Sequence, residues 1–109
     1  MPNWSKKQTI QVWWGGGSWI TRSVSSISTN TTAGATALTD YVYNCTAALT
    51  LTLPTAVGNT NKYTANRVSG LTTVATTSAQ TILWSATANL TIDNMSLTFI
   101  SDGANWKII

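Results

Sequence analysis

An all-β domain is the fold class this chain predicts, and three observations carry that prediction. Polarity rests on Thr, Ser and Asn rather than on charge: only 8% of the 109 residues are charged, against about a quarter in ordinary domains. Threonine is β-branched, stiff at χ1, and suits a pleated, half-buried surface. Leu49-Thr-Leu-Thr-Leu53 alternates strictly, which places three leucines on one face and two threonines on the other. No apolar stripe of 3.6-residue period runs for a useful length, so no helix is predicted. Together they predict a compact domain of short antiparallel strands, a sandwich or β-prism-like packing, whose charge-poor surface is partly covered by partners.

In chain order, residues 1–28 hold four of the six tryptophans (Trp4, Trp13, Trp14 and Trp19) and the run Gly15-Gly-Gly17. Thr9–Trp14 reads as a strand and Trp19–Val24 as its hairpin partner, with the glycines free to turn sharply. Residues 29–36, rich in Thr, Asn, Ala and Gly, read as a linker. Residues 37–109 read as a succession of short strands. Leu38–Asn44 is aromatic and β-branched. Leu49–Leu53 stops at Pro54, which cannot donate to a ladder. Gly58–Asn61 turns, Lys62–Val68 returns, and Ser69-Gly70 turns again. Leu71–Thr76, Thr81–Trp84 and Leu90–Ile92 are further strands, and Asp93-Asn94 makes a tight turn. Ser96–Ile100 and Asn105–Ile109 form a hairpin around Ser101–Ala104, with Leu97 and Phe99 on one face and Trp106 packed at the end of the domain.

Chemistry-bearing groups are few. With no His, one Cys and three acidic residues (Asp40, Asp93 and Asp102), the common catalytic triads and Cys/His metal clusters cannot be assembled. Asp93 and Asp102 sit in turn contexts, where the carboxylate ordinarily binds nearby backbone N–H groups. The Gly15–Gly17 run lacks the Gly-Lys-Ser/Thr of a phosphate loop. No catalytic, cofactor or metal residue is assigned, and an enzyme is not expected. Cys45 reads as a small apolar core residue. The net charge of +3 is scattered, without the clustered basic face of a nucleic-acid binder. No apolar run approaches the roughly 18 residues of a membrane span, and no h-region follows Lys6-Lys7. Synthesis in a cytoplasm and delivery by assembly are therefore expected, with neither nucleic acid nor membrane as partner.

Two aromatic groups are candidate binding surfaces. The N-terminal tryptophans bury large areas while keeping an N–H donor. They can anchor a docking arm, complete the domain's own core or stack on sugars. The arm is preferred, because so short and glycine-rich a segment makes a poor core. Trp4, Trp13, Trp14 and Trp19 are then the attachment anchors, with Lys6 and Lys7 at the rim. Tyr41, Tyr43 and Trp84, where exposed, would form a receptor or glycan platform.

The β-region resembles a domain common in bacteriophage head and tail fibre proteins. The likeness lies in Leu49-Thr-Leu-Thr-Leu-Pro-Thr-Ala-Val-Gly-Asn59, Asn61-Lys-Tyr-Thr64, Thr81-Ile82, Leu90-Thr-Ile-Asp93 and the ending Leu97-Thr-Phe-Ile-Ser-Asp-Gly-Ala-Asn-Trp-Lys-Ile-Ile109. About two-thirds of the chain is covered. The resemblance implies a virion structural protein: a homotrimer on the outer surface, attached at one end to capsid or other virion proteins. A chain of this length has no room for a long shaft, which points to a short head fibre or capsid decoration protein. A tail fibre or a receptor- or glycan-binding module of the virion is the alternative.

Overall fold

The computed structural model describes the backbone of residues 7–12 and 18–109, and side chains from Ile20 onward. The all-β expectation holds: the described residues form strands, turns and bends without a helix. The described residues contain ten strands: β1 (Lys7–Val12), β2 (Ser18–Ile27), β3 (Thr31–Thr32), β4 (Thr39–Cys45), β5 (Leu49–Thr52), β6 (Lys62–Arg67), β7 (Thr72–Ala75), β8 (Thr87–Leu90), β9 (Ser96–Ser101) and β10 (Trp106–Ile108). They make two sheets, ordered β1-β2-β4-β6-β9-β10 and β3-β5-β7-β8.

Strand direction departs from the sequence reading. β2, β4 and β6 run parallel, as do β3, β5 and β7. From β2 to β7 the chain crosses between the sheets at every step, so each parallel pair is joined through the opposite sheet. Three stacked coils result, β2–β3, β4–β5 and β6–β7, in the manner of a β-solenoid. Parallel strands need a long crossover, and here the crossover is a strand of the other sheet. Antiparallel pairing survives at the ends: β1 on β2, β8 on β7, and the β9–β10 hairpin on β6. The expected N-terminal and C-terminal hairpins are thus both present.

The inner faces meet in one apolar core. Along β4 burial alternates residue by residue, with Thr39, Tyr41, Tyr43 and Cys45 inward. Across the sheet Tyr41 pairs with Tyr63 and Tyr63 with Phe99. From the facing sheet come Leu49, Leu51, Leu53, Val74 and Leu90, and from the ends Ile82 and Trp106. The one-faced leucines and the packed Trp106 are therefore as the alternation and the C-terminal hairpin predict. On the outer face of the larger sheet, polar side chains pair across β4, β6 and β9. Asn66 donates to Asn44 across the strands at 2.9 Å, Ser96 donates to Asn66, and the Thr64 and Thr98 hydroxyls lie 3.0 Å apart.

Residues 29–36 are not a linker, and the packed fold begins before residue 37. β2 lies beside β4, β3 pairs with β5, and Ala33 is buried. The cause is the tyrosine cluster. Tyr41 stacks on Tyr63 and on Tyr43, with centroids 5.2 and 6.1 Å apart. Buried tyrosines require partners for their hydroxyls, and the 34–36 segment supplies them. Gly34 N–H donates to the Tyr43 hydroxyl and Thr36 N–H to that of Tyr41, both at 2.9 Å. The Tyr63 hydroxyl donates to the Gly34 carbonyl at 2.6 Å.

Candidate functional site

The connection from β7 to β8, residues 76–86, carries most of the positive-φ backbone strain among the described residues. Six non-glycine residues have positive φ among the described residues, and four of them are here: Ser78 (57°), Ala79 (57°), Leu83 (48°) and Trp84 (76°). Left-handed backbone costs an L-residue with a Cβ about 1–2 kcal/mol. Ile82 and Ser85 exchange both backbone hydrogen bonds, at 2.6 and 3.0 Å. Leu83 and Trp84 are thus the central pair of a two-residue turn. Positive φ at both positions is the signature of a type I′ turn, which ordinarily selects Asn-Gly. A leucine and a tryptophan there are costly, and strain of this kind concentrates at functional sites.

The turn is held from below. Gln80 is buried; its Oε1 accepts from Ala56 N–H at 2.8 Å and its Nε2 donates to Thr55 Oγ1 at 2.9 Å. Trp106 N–H donates to the Thr81 carbonyl at 2.8 Å. Thr81 N–H donates to Asn105 Oδ1 at 3.0 Å. The strained loop is therefore locked to the β9–β10 hairpin.

That hairpin turn is built as its sequence predicts. Gly103 takes φ 102°, which glycine adopts without steric cost. Asp102 Oδ1 accepts from the N–H groups of Ala104 and Asn105, at 3.0 and 2.8 Å. Those two backbone donors, that of Asn105 first, hold the Asp102 carboxyl below the ordinary range. Between the two turns lies a shallow cleft of about 110 Å³, lined by Thr81, Leu83, Trp84, Asp102, Asn105 and Lys107.

The structure separates the residues proposed for a receptor platform. Trp84 is 97% exposed. Tyr41 and Tyr43 are core residues at 8% and 6%, and burial pushes the Tyr43 phenol above its usual range. The inward alternation of β4 explains the correction: both tyrosines fall on the face that packs against the second sheet. Asn105 and Lys107, by contrast, carry no sequence signal for a site. They reach Trp84 only because a distant loop docks on the hairpin. The attachment anchors Trp4, Lys6, Trp13 and Trp14 lie outside the described residues. Lys7 and Trp19 are in β1 and β2, but their side chains lie outside the described residues too.

The acidic residues are dispersed. Asp93 pairs with Arg67 at 2.9 Å, Asp102 caps its own turn, and Asp40 lies on β4 in register between Arg22 and Lys62. Among the described residues no three His, Cys, Asp or Glu come together as metal ligands. Cys45 is fully buried, and burial raises its thiol pKa. No family model, curated protein or solved structure matches the chain.

Proposed function

We propose that this protein is a structural component of a bacteriophage virion: a short head fibre or capsid decoration protein on the outer surface. Its N-terminal segment attaches it to capsid or other virion proteins, and it assembles as a homotrimer. The observation that carries this reading is the polarity of the larger sheet. β1, which lies within the tryptophan-rich segment, forms one edge, and β10 forms the other. Five strand spacings of about 4.8 Å separate them by about 24 Å, so a protein held at β1 presents the C-terminal hairpin and Trp84 away from the attachment.

The cross-connected coils suit a static part, because β2, β4, β5, β6, β7 and β9 each have a strand on both sides. The Ser101–Ala104 hairpin, where the fibre-protein likeness is most specific, sits at the outward edge. Immunogold labelling of virions with antibodies to the folded domain tests the assignment. Gold on the outer surface of the head is expected. Purified virions that carry neither label nor the polypeptide overturn it.

A further inference from the structure

We propose that the cleft between the Trp84 turn and the Asp102–Asn105 turn binds a neutral pyranose at the exposed end of a glycan. An almost wholly exposed tryptophan is held in a conformation that neither it nor Leu83 favours. Nothing in the packing requires the indole there: the turn is closed by Ile82 and Ser85, and the core beneath is filled by Ile82 and Trp106. The ring is therefore presented rather than packed, on a loop that hydrogen bonds keep rigid. A preorganised contact of this kind loses little freedom on binding.

The cleft beside the ring decides the ligand class. Asn105 spends its carbonyl on Thr81 N–H, leaving the amide N–H groups as donors. Asp102 spends Oδ1 on its own turn, leaving Oδ2 as an acceptor. Lys107, exposed at the same cleft, adds a further donor. A pyranose has one face of C–H groups, which lies flat on an indole, and an edge of hydroxyls that both donate and accept. Donors and an ionised acceptor side by side match that edge. With one carboxylate and one ammonium side by side the cleft carries no net charge, which matches an uncharged sugar. The lining sets the apolar Leu83 and Trp84 beside the polar Thr81, Asp102, Asn105 and Lys107, a mixture that suits the two unlike faces of a sugar better than the largely desolvated surround of a protein hot spot. This inference stands apart from the virion assignment: the same cleft would bind the same sugar on any protein.

Amide and indole ¹H–¹⁵N spectra of the full chain, titrated with the methyl glycosides of glucose, galactose and N-acetylglucosamine, test it. At least one should shift the Trp84 indole N–H and the Asn105 side-chain amide together, with millimolar affinity. Trp84→Ala should weaken that binding about tenfold or more while the remaining spectrum stays unchanged, since the ring supports no packing. Lys107→Gln should weaken it less. Absence of shifts with every neutral glycoside overturns the proposal. So do shifts that survive Trp84→Ala, or a response confined to acidic sugars.

Discussion

Gly70 occupies a turn with φ +77°, and a Cβ added there would lie 2.4 Å from the backbone nitrogen of Ala48. The atoms it would meet belong to the corresponding turn of the preceding coil, so neither side can yield without moving backbone. Gly58 has nearly the same φ, +71°, yet a Cβ there meets nothing within 4 Å. Gly58→Ala should therefore cost only the left-handed backbone, about 1 kcal/mol, and Gly70→Ala about 3 kcal/mol. Urea denaturation of the two variants separates the terms; equal midpoints would show that the coils are not in contact there. Acid supplies a second residue-scale test. Asp102 has a folded pKa below its ordinary value of 3.8. Its stabilisation is thus complete above that value and is lost as pH falls through the lower folded pKa. Asp102→Ala should be less stable than the parent at neutral pH and should converge with it in acid. Cys45, buried with a raised pKa, should resist alkylation at pH 8 in the folded chain and react on unfolding.

At the scale of strands, alternation along Leu49–Leu53 correctly gives the buried face, and the Asp102-Gly103 turn gives the final hairpin. Strand direction was not legible, because period-two alternation is the same for parallel and antiparallel neighbours. A regular solenoid betrays itself by a repeat length, and this one has none. Val24 pairs with Val42 and Val42 with Thr64, steps of 18 and then 22 residues; Thr31, Leu51 and Val74 stand 20 and then 23 apart. The 29–36 segment reads as a linker because its own residues are small and polar. Its order comes from tyrosine hydroxyls contributed by β4 and β6. The Trp84 cleft was half legible: the aromatic stands out in the sequence, but the docking that brings Asn105 and Lys107 to it does not. Coil stacking also sets where the chain can be cut. Removing residues 1–28 would take away β2 and uncover β4, an inner strand with the buried Tyr41 and Tyr43. That truncation should aggregate, whereas removal of residues 1–6 leaves every described strand intact. Size-exclusion profiles of the two truncations check this; a soluble, folded 29–109 fragment would mean that β2 is dispensable.

Over the whole molecule, the turns that join the larger sheet to the smaller one form one rim, and this otherwise polar rim carries one apolar patch. Val68 and Leu71 are 47% and 46% exposed, and Ile92 is 68% exposed. The first two flank the turn after β6 and the third follows β8. The register brings them together: Asn94 N–H donates to the Arg67 carbonyl, and Thr72 pairs with Leu90. The Arg67–Asp93 ion pair stands beside them. Such a patch on a chain with so few charges favours self-association, and a closed ring buries it in every subunit. The proposed trimer then predicts a solution mass three times the 11.7 kDa of the chain, measured by sedimentation equilibrium. Replacing Val68, Leu71 and Ile92 together by Ser should shift the equilibrium toward monomer without altering the far-ultraviolet β signal, because none of the three is in the core. A parent protein that sediments as a monomer at micromolar concentration removes the trimer. A trimer that survives the triple replacement places its interface elsewhere on the molecule.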